Sequence, residues 1–216
     1  MKNRSLLVLF LLLGFLLIFV SGERIQAGET KELEKTAYTY RVVAIGQNGA
    51  QAEGRFMLSL SGNYLSPSDS GFKDIYGSSA FYPEIKAAVK VIKDIYVWGS
   101  YGFFSKNGET PVLKIAAEST QNYLSFGVGH LFRLSEKLDL DIVLGAAHIS
   151  YKEEAMGMEI SGSRLGLCVK GGVIFHLTKN FFTTAHIGYL AASDTVNDVK
   201  IKLGGMTAGI GVGITL

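Results

Sequence analysis

From Arg55 onward, apolar and polar side chains alternate with a period of two, in segments separated by turn-forming residues. The last segment is the clearest. From Met206 to Leu216 every even position is apolar, and every odd position is Thr or Gly. Such spacing puts the apolar groups on one face of a strand, whereas a helix would scatter them around its circumference. The glycines in that run would weaken a helix further.

The same pattern predicts seven more strands upstream. Residues 55–65 alternate through Phe56, Leu58, Leu60 and Tyr64. Residues 81–91 set Ile85, Ala87, Val89 and Val91 against Glu84, Lys86 and Lys90, and residues 121–132 set Leu124, Phe126, Val128 and Phe132 against Ser125, Gly127 and Gly129. Residues 138–150 oppose Leu138, Leu140, Ile142 and Leu144 to Asp139 and Asp141. Residues 163–177 oppose Leu165, Leu167, Val169, Val173 and Phe175 to Arg164, Gly166, Cys168, Lys170 and Gly172. Residues 181–190 oppose Phe181, Ala185, Ile187 and Tyr189 to His186 and Gly188. Only residues 95–104 are apolar on both faces and give no clean side.

The connections alternate in length. Residues 66–80, 105–120, 151–162 and 191–203 read as long polar loops, and residues 92–94, 133–137 and 178–180 as short turns. Antiparallel barrels of outer membranes have short periplasmic turns and longer outer loops. The expectation is an all-β, eight-stranded, antiparallel, up-and-down transmembrane β-barrel over residues 55–216. The first strand then runs outward and the last inward.

The alternative is a soluble, lipocalin-like periplasmic carrier with its apolar face inside. Three features favour lipid outside. Aromatic residues gather at strand ends: Tyr64, Phe81, Tyr82, Phe103, Phe104, Tyr123, Tyr151 and Tyr189 at the outer ends, and Phe56, Tyr96, Phe132, Phe175 and Phe181 at the inner ends. Two such belts are expected at headgroup level. Glycines concentrate on the polar face, where a narrow barrel has little room. The sequence also closes on an alternating strand.

The N-terminal residues carry a different signal. Lys2 and Arg4 precede an apolar run from Leu6 to Val20, and Val20-Ser21-Gly22 offers small residues before Glu23. That run is short against the roughly 20 residues of a spanning helix. Residues 1–22 read as a cleaved secretory signal. Its removal leaves 19 basic against 19 acidic side chains, so no basic face points to nucleic acid. Residues 23–54 lack the alternation and read as a poorly ordered periplasmic lead-in.

The signal, the alternating connections and the ending Gly211-Val212-Gly213-Ile214-Thr215-Leu216 resemble the outer membrane β-barrel domain family of small bacterial barrels. Phe72-Lys73-Asp74-Ile75-Tyr76-Gly77 in the first loop is also similar to members of that family. The resemblance implies an outer-membrane location, contact with outer-membrane lipids, and insertion by the barrel-insertion machinery. Members usually end on Phe, and Leu216 departs from that pattern. No single activity follows, because small barrels serve many roles.

Candidate chemistry is sparse. No phosphate-binding loop, cysteine pair or metal motif is present, and no cofactor is expected. Glu84, Lys86, Lys90, Asp139, Asp141, Arg164 and Lys170 fall on the polar face and are expected to form a network of paired charges in the lumen, since unpaired buried charge is costly. Eight strands leave no large solute pore. His148 and Ser150 share one face, with Glu153, Glu154 and Glu159 nearby. A Ser-His-Glu set could transfer an acyl group, and the arrangement resembles outer-membrane lipid A deacylases, although Tyr151 stands where those prefer Asn. This acyl hydrolase is the enzymatic alternative. The leading expectation is a non-enzymatic structural or adhesive barrel, binding an extracellular ligand through its loops. Phe72, Ile75 and Tyr76, and Val112, Leu113 and Ile115, are the apolar residues of the first two loops.

Overall fold

The computed structural model describes residues 56–196 and 198–216. The expected signal and lead-in lie outside the described residues. Eight strands close into one barrel in chain order. They are β1 (Phe56–Pro67), β2 (Ala80–Ile92), β3 (Ile95–Glu109), β4 (Ala116–Arg133), β5 (Leu138–Ala155), β6 (Met158–His176), β7 (Phe181–Val196) and β8 (Val199–Thr215). Every neighbouring pair is antiparallel, and β1 meets β8 from Met57↔Thr215 to Pro67↔Gly205.

The apolar face points outward. Leu60, Ile85, Val97, Val128, Leu144, Leu167, Ile187, Ile210 and Val212 are all exposed, and a continuous row Val128↔Leu144↔Val169 crosses three strands. Their polar alternates, among them Glu84, Asp141, Lys170 and Thr207, are buried in the lumen. Burying charge and exposing leucine inverts the arrangement of a water-soluble protein, and is what a hydrocarbon surround selects.

Two features differ from the sequence reading. The stretches read as long loops beyond the first are mostly strand. β3 and β4 continue to Glu109↔Ala116, β5 and β6 to Ala155↔Met158, and β7 and β8 to Val196↔Val199. Polar residues on both faces hide the strand pattern there, because neither face meets lipid. Met156 and Gly157 close β5–β6 as a two-residue turn with φ of 57° and 72°. Positive φ at both positions matches the right-handed twist of a hairpin.

The second difference concerns the aromatics. Tyr82, Tyr96, Phe104, Tyr123 and Tyr151 do not join the belts; they point inward and are buried. The exposed belts are Tyr64, Phe81, Phe103 and Tyr189 at one end, and Phe132, Phe175 and Phe181 at the other. The ambiguous β3 resolves accordingly, with Tyr96, Trp98, Ser100 and Phe104 inside and Val97, Tyr101 and Phe103 outside. Strand parity sets the direction of each ring, and an aromatic on the inward parity fills the barrel.

The glycines make room for these rings. A Cβ on Gly129 would fall among the atoms of the Tyr96 ring. Gly129→Val is therefore expected to cost about 1–3 kcal/mol through overpacking. A matching fall in the temperature at which the folded band is lost on unboiled gels would confirm it.

Among the described residues one short helix, α1 (Ser70–Tyr76), lies in the β1–β2 connection. Asp69 caps it, accepting from the Phe72 amide at 3.0 Å, and its second carboxylate oxygen accepts from the Lys202 amide at 2.9 Å. Phe72 and Tyr76 are buried, so the apolar residues of the first loop pack over the barrel mouth. Those of the second do not, since Val112 and Leu113 are exposed at the β3–β4 tip.

Candidate functional site

The lumen carries the charges. Lys170 on β6 places its ammonium 2.7 Å from both carboxylate oxygens of Glu84 on β2, across the barrel. Both side chains are under a tenth exposed, at 8% and 5%. Lys86 lies 3.2 Å from Asp141 and donates to the Tyr96 hydroxyl at 3.1 Å. Tyr96 in turn donates to Asp141. The same ammonium sits 5.1 Å from the Tyr96 ring centre and 5.7 Å from that of Trp98. The low-dielectric wall strengthens such contacts and makes any unpaired member costly.

Toward the end with short turns, Asp139 contacts His176 at 2.9 Å and Arg133 at 3.8 Å. Toward the hairpin end, Arg164 reaches Asp194 at 2.5 Å, and the Tyr151 hydroxyl donates to the same carboxylate at 2.8 Å. Six of the seven sequence candidates therefore fall into three groups. Glu84, Lys170, Lys86 and Asp141 meet in the middle of the lumen. Asp139 lies below them and Arg164 at the outer rim. Lys90 faces inward near the short turns but joins no ion pair among the described residues.

Sequence reasoning missed Tyr96, Asn63, His176, His186 and Asp194 as members of these networks. His186 approaches Asn63 at 2.7 Å, and Asn63 donates to Ser61 at 3.1 Å. Asn63 and His186 lie on the inward parity of their strands, so the pattern could have found them. Asp194 was hidden in a stretch read as loop.

A cavity of about 40 Å³ lies in the lumen, bounded by Glu84, Lys86, Tyr96, Asp141, Lys170 and His186. That is room for a few waters and far below the roughly 300 Å³ at which ligand pockets begin. The lipocalin-like carrier is thereby overturned: charges and aromatic rings fill the space where cargo would sit. Above the cavity the rings stack in sequence. Tyr82 and Tyr123 centre 5.4 Å apart, Tyr123 and Phe104 6.0 Å, and Phe104 and Phe72 of the helical cap 6.3 Å.

The catalytic alternative does not assemble. His148 and Ser150 lie on the outward parity of β5, and no hydrogen bond joins them among the described residues. Glu153 is on the opposite, inward parity. Glu154 and Glu159 are held by Lys152 at 3.7 and 3.1 Å. Among the described residues no carboxylate pairs with the His148 imidazole.

Beyond Ser150 the outward residues of β5 are Lys152 and Glu154, so this part of the strand stands above the lipid band. Here Glu153 is half-buried beside Asp69. Burial, followed by the Asp69 charge, raises its carboxyl above the usual range. Burial likewise lifts the Tyr76 hydroxyl to about 12, with the charges of Glu153 and Glu118 adding to it. A carboxyl raised in the folded state binds its proton more tightly there, so folding loses stability as pH climbs through that range. Glu153→Gln is expected to raise the urea midpoint at pH 7 and to leave it unchanged at pH 3, where both side chains are neutral.

No family model matches the sequence, and no curated protein matches it. Solved structures do. The attachment invasion locus protein of Yersinia pestis, Ail, solved with the heparin analogue sucrose octasulfate, is 25% identical; the match covers 76% of this chain and 99% of Ail, at a TM-score of 0.53. OprG of Pseudomonas aeruginosa matches at a TM-score of 0.61 and 12% identity, over 76% of this chain and 96% of its own. Neisserial surface protein A matches at 0.53 and 16%, over 74% and 97%.

The chain is a small outer-membrane β-barrel. Its exposed apolar band and two aromatic belts are the surface that such barrels show to lipid. Barrels of this kind keep their short turns in the periplasm and their longer hairpins outside.

Proposed function

We propose that this barrel is a non-enzymatic outer-membrane protein whose outer hairpins bind an extracellular ligand. One observation carries the reading: large apolar side chains are held in water beyond the lipid band. Val112 and Leu113 at the β3–β4 tip are 89% and 68% exposed, and Met156 and Met158 at the β5–β6 tip are 60% and 64% exposed. Apolar groups clustered on hairpin tips mark contact surfaces more often than they serve a fold. The likeness to Ail, a protein named for attachment, supports the same reading. The lumen network is proposed to have a structural role, holding opposite walls together in place of an apolar core.

Export is proposed to run through cleavage near Gly22, with the mature protein starting at Glu23 and inserted by the barrel-insertion machinery. Mass measurement of the membrane-extracted chain checks this start.

Cells displaying the barrel are expected to attach to an immobilised extracellular-matrix extract. Replacing Val112, Leu113, Met156 and Met158 together by serine should reduce attachment at least tenfold, with the amount at the surface unchanged. Equal attachment by both forms would overturn the binding reading.

A further inference from the structure

The lipid-facing wall carries a groove of about 680 Å³. Its floor is the backbone of Ser61↔Gly211↔Thr184 on β1, β8 and β7, residues on the inward parity of their strands. One rim is the outward row Leu60↔Val212↔Thr183↔Phe175. The other rim is low, because Gly62 and Ala185 stand in it. From Phe175 on β6 to Pro83 on β2 the groove crosses four strand spacings of about 4.8 Å, or about 19 Å. Barrel strands tilt, so a row running across them climbs the wall. Phe175 belongs to the aromatic belt at the end with short turns, and Pro83 is two residues from Phe81 of the other belt.

The lower end of the groove meets two cations. Below Phe175 the chain turns through Leu177, Thr178, Lys179 and Asn180. The Thr178 hydroxyl fixes that turn, accepting from the Asn180 and Phe181 amides at 3.3 and 3.0 Å. The β4–β5 turn is held alongside, since the His176 amide donates to the Lys137 carbonyl at 2.8 Å. Lys137 and Lys179 are exposed, and neither joins an ion pair among the described residues. Glu136, the acidic residue of these two turns, pairs with neither. Two ammoniums therefore stand just beyond the aromatic belt, where lipid headgroups lie.

We propose that the groove and the two lysines form a site for one anionic phospholipid, with an acyl chain lying along the wall and the phosphate at Lys137 and Lys179. Each half of the ligand follows from the chemistry of the half that receives it. A mostly apolar groove that opens into hydrocarbon accepts a chain, and its volume falls within the roughly 300–1,000 Å³ of small-molecule pockets. Uncompensated ammoniums at headgroup level favour a negatively charged headgroup over a zwitterionic one. Neither half suffices alone. Lys93 on the β2–β3 turn is equally exposed, but it lies four strand spacings around the ring from Lys179, on the opposite side of the barrel. Inorganic phosphate carries the headgroup's charge and has nothing to place in the groove, so it is expected to bind far more weakly than the lipid.

The test uses the full barrel in a non-ionic detergent and reads bound lipid by native mass spectrometry. The probes are phosphatidylglycerol and phosphatidylcholine with the same acyl chains. One phosphatidylglycerol should be retained per barrel, at least tenfold more tightly than phosphatidylcholine. The double variant Lys137→Gln/Lys179→Gln should bring the two lipids within twofold of each other. Ala185→Trp, which fills the groove from its low rim, should weaken phosphatidylglycerol at least tenfold, and Thr183→Trp from the other rim should do the same. Migration of the folded band on unboiled gels shows that each variant still forms the barrel. Lys93→Gln should leave the preference unchanged, and inorganic phosphate at the lipid's concentration should not displace it. No retained lipid, equal retention of the two lipids, a preference that survives loss of the lysine pair, or indifference to both tryptophans would overturn the proposal. Displacement by inorganic phosphate would also overturn it, by making the lysines a plain anion site.

Discussion

Replacing Lys170 by alanine is expected to destabilise the folded barrel by about 3–5 kcal/mol, because it leaves the Glu84 carboxylate charged and alone in the lumen. The ammonium is 2.7 Å from both oxygens of that carboxylate, and the pair is almost fully shielded from water. Asp141 and Lys86 cannot take over, since they are engaged with each other and with Tyr96. Glu84→Ala should cost a similar amount. The double variant Glu84→Leu/Lys170→Met removes both charges and keeps apolar volume, and should recover most of the loss. Urea unfolding from lipid vesicles, followed by the fluorescence of Trp98, the one tryptophan of the chain, measures all of these. If the double variant is as unstable as either single one, the pair's charge is not what holds β2 to β6.

Leu144→Arg is expected to cost about 2–4 kcal/mol, the range for a guanidinium facing lipid at the bilayer midplane. Leu144 is 56% exposed in the protein alone and lies midway between the aromatic belts, between Val128 and Val169. The same substitution at Ser161, on the hairpin above the lipid, should change stability by less than about 0.5 kcal/mol, as exposed substitutions usually do. The contrast between the two sites is the informative quantity. A barrel bathed in water would accept arginine at Leu144 as readily as at Ser161, so equal costs would contradict a lipid surround.

Both expectations follow from one inversion: this protein buries charge and exposes hydrocarbon. Its lumen is held by a few strong cross-barrel contacts rather than by many weak apolar ones. A single removed group therefore matters more than a single methylene would in an ordinary core. The filled lumen is also why the proposed binding is placed at the outer end. The space between Glu84, Asp141 and His186 takes only a few waters, well short of a ligand pocket.

The sequence alone determined the number of strands, their order and, for every strand but β3, their faces. Alternation is a local property, and side-chain direction along a strand follows from it without reference to any other strand. Leu138 through Leu144 therefore read as one face before any fold was known, and so did the charged residues opposite them. The tertiary structure decided what those charges meet. Glu84 and Lys170 are 86 positions apart, and their contact depends on the stagger at which eight tilted strands close, which no local pattern encodes. It also decided where strands continue beyond the membrane, since the pattern fades once neither face meets lipid. The helical cap over the barrel mouth and the parting of β6 from β7 above Leu167 follow from the same cause. Each is fixed by which strands lie side by side at a given height, and that is a property of the closed barrel.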